Sequence, residues 1–298
     1  MKKRAVSVML TAAMVSAMLA GCGSKNAETQ SAADTTAESA ASGDETSADT
    51  QAADEETTDA ETTDASKTDG TFTVGFDQDF PPMGFVGDDG EFTGFDLEMA
   101  AEVAKRLNLM IAYQPIAWDA KDMELDAGTI DCIWNGFTMN GREDDYEWSK
   151  PYMKNNQVFV VRGDSDINSE ADLAGKNVEV QTDSSAEAAL NDNSELTSTF
   201  GSLTPVADYN TAFMDLESGA VDAIAMDDVV ASYQITSRKA DFKVLDDVIA
   251  AEEYGIGFKK GNTGLRDKVQ ATLEEMAADG TAAKISEKWF GKDITTIQ

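Results

Sequence analysis

LDAGTIDCI at residues 125–133 returns as LESGAVDAI at residues 216–224, 91 residues further along the chain. Each copy ends a helix on a glycine suited to the left-handed closing position and then enters a short apolar strand. Such joints are common in α/β proteins, so the echo reads either as a shared commonplace or as two α/β lobes of similar build. The stretch before the first copy has the same character. Residues 72–76 alternate like a strand. Residues 95–107 place Leu97, Ala100, Ala101, Val103, Ala104 and Leu107 at helical spacing, with Asp96 and Glu98 near the start where acids favour a helix. Residues 109–113 read as a second strand. Strand, helix, strand is a βαβ unit, which predicts an α/β class with a largely parallel sheet. Residues 130–134, 177–180 and 223–226 read as further strands.

The composition removes several kinds of chemistry. The 298 residues carry 56 Asp and Glu against 23 Lys and Arg, a net charge of −33, and no His. A chain this acidic is not expected to bind a phosphate backbone, which needs Lys and Arg to displace counterions. Without His, neither a Ser-His-Asp hydrolase nor a His-ligated zinc site is available. Two cysteines, Cys22 and Cys132, make neither a disulfide framework nor a thiolate zinc site. No metal and no cofactor is expected.

The N-terminus reads as a targeting segment. Met1 to Arg4 is basic, and residues 5–19 are an apolar run too short to span a bilayer. LAGC at residues 19–22 resembles a bacterial lipobox, so residues 1–21 are expected to be a lipoprotein signal peptide and Cys22 its lipidated residue. An ordinary signal peptide with an incidental Cys is the other reading. Residues 22–70 then form an acidic tether. From Gly23 to Gly70 there is no Val, Ile, Leu, Met or aromatic, and thirteen acids face two lysines. Such a segment has little to bury and repels itself; a neutral coil of that length spans roughly 40 Å.

Candidate binding residues gather where strands end. After the first strand comes DQDFPPMGF, residues 77–85, in which Asp77 and Phe80 leave the strand and two prolines stiffen the turn. In open α/β sheets ligands collect at the carboxyl ends of strands. Trp118 follows the next apolar segment, and either aromatic could equally be core. NGFTMNGR, residues 135–142, supplies Asn135, Gly136, whose backbone a ligand can approach closely, the Thr138 hydroxyl, and Arg142, a fork that pairs with carboxylates. Arg142 precedes three acids, so a surface ion pair is its other reading. In the second lobe Gln181 is followed by Ser184 and Ser185, either of which can cap the next helix and leave N–H groups facing an anion. Asp227 leaves the strand at residues 223–226; it suits either an ammonium group or a helix N-cap, and the two roles can coexist.

These residues carry a resemblance. The body is similar to the extracellular solute-binding proteins of polar amino acid ABC importers through nearly all of residues 71–291. GFDQDFPP (75–82), GFDL (94–97), NGFT (135–138), WSKPY (148–152), DLAGK (172–176) and DGTAAKISEKWFG (279–291) match in order and spacing. The resemblance implies a two-lobed periplasmic-binding-protein fold of type II with two hinge crossovers near residues 156–160 and 252–257. It divides the body into residues 71–155 and 255–298 for lobe 1 and residues 156–254 for lobe 2. It implies that Arg142 clamps an α-carboxylate, with the Thr138 amide and the Ser184–Ser185 turn. Asp227 and the Gly136 carbonyl would hold the α-ammonium, Phe80 and Trp118 would sandwich the side chain, and Asp77 would reach its distal end. Gln181 stands where relatives carry a contact residue. One departure is a stretch from Thr138 to Arg142 one residue shorter than usual.

The function so implied is a lipid-anchored, monomeric receptor on the outer face of the cytoplasmic membrane. It passes a free polar or cationic L-amino acid to an ABC permease. Asp77, Asp79 and Asp119 lean toward a cationic ligand, though a neutral amide or cystine also fits. Two other classes compete: a sensor acting in trans, and a dehydratase-type enzyme in which Asp77 and Asp79 would do acid–base work.

Overall fold

Apolar alternation builds the first strand, β1 (Thr71–Phe76), whose Phe72, Val74 and Phe76 are all buried in the computed structural model, which describes residues 70–298. The leader, Cys22 and nearly all of the acidic tether lie outside the described residues. A small antiparallel sheet follows: β2 (Asp79–Phe80), β3 (Gly84–Val86) and β4 (Phe92–Thr93). Then come α1 (Phe95–Arg106), β5 (Met110–Pro115), α2 (Lys121–Ala127), β6 (Cys132–Thr138) and β7 (Glu147–Trp148). Leu97, Ala100, Val103 and Ala104 form the buried stripe of α1, as their spacing predicts. β5 and β6 flank β1 and both run parallel to it.

The chain leaves this lobe along β8 (Met153–Arg162) and builds the second from β9 (Asn177–Gln181), α3 (Ser185–Asp192), α4 (Ser194–Thr197), β10 (Ser202–Val206), α5 (Tyr209–Ser218), β11 (Ala223–Asp227) and α6 (Asp228–Arg238). Here β9 lies between β10 and β11, again all parallel. β12 (Phe242–Phe258) returns to the first lobe, and α7 (Thr263–Ala278) and α8 (Thr281–Phe290) finish the described helices. One lobe's core contains Phe159, Val178, Val180, Leu190 and Ala225, while Phe72, Val74, Leu97 and Val103 belong to another cluster.

Both copies of the echo do the same work. Gly128 (φ 71°) ends α2 and Gly219 (φ 78°) ends α5, each in the left-handed region. The aspartate three residues later then ties the joint to the neighbouring strand. Asp131 Oδ2 accepts from Thr73 N at 2.7 Å, and Asp222 Oδ2 accepts from Asn177 N at 2.9 Å. The repeated aspartate thus locks each new strand beside the first strand of its own lobe.

Two expectations need correction. The sheet is not largely parallel as a whole: β8 and β12 run antiparallel to β11, to β6 and to each other. They join the two parallel sets into one path, β10-β9-β11-β8-β12-β6-β1-β5. Second, the strand expected at residues 130–134 runs instead from Cys132 to Thr138, because β12 pairs with it as far as Tyr254 opposite Thr138. Asn135, Gly136 and Thr138 therefore belong to the strand itself, not to a loop after it.

Candidate functional site

Strand ends from both lobes meet at a small, tightly closed cavity. β6 brings Asn135, Gly136 and Thr138, the turn after it brings Arg142, and β2 and the segment before α2 bring Phe80 and Trp118. From the other lobe come Gln181, the Ser184–Ser185 turn and Asp227. Asp77 is the one sequence-predicted residue not on the wall. Its carboxylate is buried behind it, accepting from Gln181 Nε2 at 2.7 Å and from Asp79 N at 2.8 Å. It also borders an adjoining acidic groove with Asp79, Trp118, Asp119 and Asp208.

Local chemistry explains each placement. Gly136 adopts φ 59°, and a Cβ there would sit 3.1 Å from the Tyr254 ring and 3.2 Å from Phe80, so the backbone lies against both rings. Its N–H donates to Asp96 Oδ2 at 2.6 Å, and Tyr152 OH donates to the same oxygen at 2.9 Å. Asp96 is fully buried, and burial pushes its carboxyl up to about 7. The sequence places it as a helix-start acid; in the fold it fixes the Gly136 backbone of β6 from beneath. Asn135 Oδ1 accepts from Asp77 N at 3.0 Å, which joins the two strand ends. Burial pushes Asp77 up to about 6.

Phe80 and Trp118 serve two purposes each. Phe80 is 6% exposed and belongs to the core, yet one side faces the cavity. Trp118 stacks edge-on against Phe137 with centroids 5.5 Å apart and leaves its other surface on the wall. Across the cavity Ser184 caps α3, its Oγ accepting from Glu187 N at 3.1 Å. Ser185 Oγ takes the Thr138 hydroxyl at 3.1 Å.

The two ends of the cavity have opposite polarity. At one end the Arg142 guanidinium lies 5.3 Å from the Phe137 ring centre, with Nη1 on Thr138 O at 3.3 Å and Nη2 on Asp183 O at 3.2 Å. It does not form the surface ion pair with the following acids that was its other reading; those contacts go to backbone oxygens. At the other end Asp227 holds the N-cap position of α6 without a side-chain capping bond. Its Oδ1 instead accepts from Asn155 and Gln157, both at 2.8 Å, and from Tyr254 OH. The same two amides donate to Glu252 Oε1, at 2.6 and 2.8 Å. Burial first, and the neighbouring Glu252 second, hold the Asp227 carboxyl well above the usual range. Gln157 Oε1 is buried with no hydrogen-bond partner among the described residues. Two carboxylates and a free amide oxygen leave this end with acceptors in excess, an environment that a cationic donor satisfies.

Asn155, Gln157 and Glu252 were missed in the sequence, as was Asp96. The signal available was MKNNQVFVV at residues 153–161, where Asn155 and Gln157 share one face of a strand that turns apolar after them.

Comparison with known proteins agrees with this architecture. The family model for bacterial extracellular solute-binding proteins, family 3, matches residues 72–292. The L-cystine-binding protein TcyJ of Escherichia coli K12 is 34% identical over 228 residues, covering 76% of this chain and 84% of that protein. The crystal structure of an ABC uptake transporter substrate-binding protein from Streptococcus pneumoniae with bound histidine superposes with TM-score 0.74 at 34% identity. It covers 76% of this chain and 95% of that one. An ancestral arginine-binding protein bound to arginine gives TM-score 0.69 at 36% identity, covering 74% and 99%.

Proposed function

This chain belongs to the bacterial extracellular solute-binding proteins, family 3, and from that premise we propose that it captures a free L-amino acid between its lobes and delivers it to an ABC importer. The observation that carries the reading is the polarity of the cavity wall: the Arg142 guanidinium, the Asp227 carboxylate with Glu252 buried beside it, and the Phe80 and Trp118 rings. An α-amino acid offers a carboxylate to the guanidinium and an ammonium to the Asp227 carboxylate, with a side chain to spare. Arg142 takes the α-carboxylate through its remaining donors, with the Thr138 amide and the Ser184–Ser185 turn. Asp227 and the Gly136 carbonyl take the α-ammonium. The aromatic pair holds the side chain, and Asp77, buried behind the wall and steadied by Asn135 and Gln181, adds negative charge near its distal end.

Ligand charge follows from the surroundings. The acidic groove beyond Trp118, with Asp77, Asp79, Asp119 and Asp208, favours a side chain that carries a positive charge or ends in a second ammonium. Cystine, arginine and histidine, named for the similar proteins, fall within that class. Binding of this kind makes and breaks no covalent bond. Lobe limits at residues 71–155, 156–254 and 255–298, a monomeric state, and a lipid anchor at Cys22 on the outer membrane face complete the proposal.

A thermal-shift panel of the twenty amino acids with cystine and ornithine tests it. A ligand at one hundred times its Kd adds about 2.7 kcal/mol to apparent stability. Clear stabilisation by cationic amino acids or cystine supports the reading; no shift with any member of the panel refutes it.

A further inference from the structure

Several polar contacts join the lobes around the cavity, and one differs in kind. Gln181 meets Asp77, Ser185 meets Thr138, and Asn210 Nδ2 meets Asp79 Oδ1 at 2.9 Å. The other is an ion pair between Lys121, the first residue of α2, and Asp183, in the turn before α3. Neither residue lines the cavity. Lys121 is only 2% exposed, an unusual state for a lysine, while the Asp183 side chain is 52% exposed. The lysine Nζ also lies 5.3 Å from the Trp118 ring centre and 3.4 Å from the Asp183 carbonyl oxygen. That same oxygen receives Arg142 Nη2.

Asp183 is therefore where two cations of one lobe land on the other. The turn that carries it is well braced. Asp183 sits at φ 59°, a left-handed position that Asp and Asn tolerate better than most residues. Its N–H donates to Glu187 Oε2 at 2.5 Å, inside the same turn that Ser184 caps.

We propose that Lys121 and Asp183 are positioning residues that latch the cleft shut around any accepted amino acid, setting how long the ligand stays rather than which ligand is chosen. The inference rests on the reading of the cavity as the amino acid site. When the lobes part, the Lys121 ammonium faces water; when they close, it is buried. Burying an unpaired ammonium is strongly unfavourable, so closure requires the Asp183 carboxylate to arrive with it. The ligand cannot substitute, because its carboxylate belongs to Arg142. Two cations thus meet two anions at closure, one anion from the protein and one from the ligand.

The test uses the mature protein with L-cystine, L-arginine and L-histidine as probes, measuring association and dissociation rates and the ligand-free melting temperature. Asp183→Asn keeps the left-handed turn and removes the charge. It is expected to raise the dissociation rate about tenfold, the half-exposed carboxylate limiting the effect. Association, the order of preference among the three probes, and ligand-free melting stay as in wild type. Adding Lys121→Met removes the stranded ammonium, so the double variant recovers to within about threefold of wild type. A dissociation rate for Asp183→Asn within about twofold of wild type overturns the latch. So does a double variant no better than the single one, or a fall in ligand-free melting that matches the loss of binding. If wild type binds none of the three probes, that result strikes the functional reading itself, before any variant is made.

Discussion

Removing the Arg142 guanidinium probes the reading at its charged end. Of five N–H donors, the structure engages one with Thr138 O and one with Asp183 O, which leaves a fork for an α-carboxylate. Deleting one partner of a desolvated charge pair costs about 2–5 kcal/mol in binding. Arg142 is half-buried at the edge of the cavity, so the lower part of that range applies, about 2–3.5 kcal/mol. At about 1.4 kcal/mol per tenfold, Arg142→Ala should weaken binding roughly thirty- to three-hundred-fold. Arg142→Lys keeps the charge and loses the fork, and should fall between. Glu143, the exposed neighbour, serves as control, and Glu143→Ala should change little. Titration calorimetry with the best ligand of the panel measures all three variants. If Arg142→Ala binds within about threefold of wild type, the clamp is misassigned, and the short Thr138–Arg142 stretch becomes the first place to look.

Other outcomes follow from the same geometry. Asp96, raised to about 7, and Asp77, raised to about 6, hold protons on the folded chain that the unfolded chain has already lost, so stability falls as pH climbs from 3.8 toward 7. Ligand-free melting should drop between pH 5 and pH 8, and Asp96→Asn should make the drop shallower; an equal slope would show that Asp96 is not a source. Gly136→Ala places a Cβ at φ 59° against Tyr254 and Phe80 and is expected to lose about 1–2 kcal/mol of stability by chemical denaturation, and affinity with it. A loss under about 0.5 kcal/mol would mean the strand has slack there. Cys22→Ala should move the protein from membrane to soluble fraction on cell fractionation, and continued membrane retention would contradict the lipid anchor.

The fold was legible where burial imposed a period. Phe72, Val74 and Phe76, and the α1 stripe through Leu97 and Val103, occur as their spacing indicates. β12 was not legible as one strand. Its register shifts between Val244 and Val248, between Val248 and Ala250, and between Gly255 and Gly257. Each shift breaks the alternation that would reveal a strand. The cavity wall was mostly legible because its residues leave strand ends as turns and short polar motifs. The residues beneath it were not: Asn155 and Glu252 are 97 positions apart and look like surface groups until the hinge strands pair. Lys121 was hidden for the same reason, since its anionic partner, Asp183, comes from the other lobe, and Trp118 beside it offers only a carbonyl oxygen and a ring face.

The paired strands β8 and β12 give this receptor the mechanics of a strap hinge. Met153 to Gln157 runs antiparallel against Tyr254 to Ala250, a hydrogen-bonded ribbon that resists stretching and shear yet yields to bending and twist. Asn155, Gln157, Glu252 and Tyr254, which surround Asp227, stand on that ribbon. On the proposed reading a ligand's ammonium presses at the fulcrum, where force exerts almost no torque. Arg142, Lys121 and Asp183 lie off the ribbon, on turns and a helix end, where the same force has a lever arm. If recognition sits at the pivot and leverage at the rim, as proposed, changes at the two places are felt as different quantities: one as the depth of the bound state, the other as the angle the lobes reach.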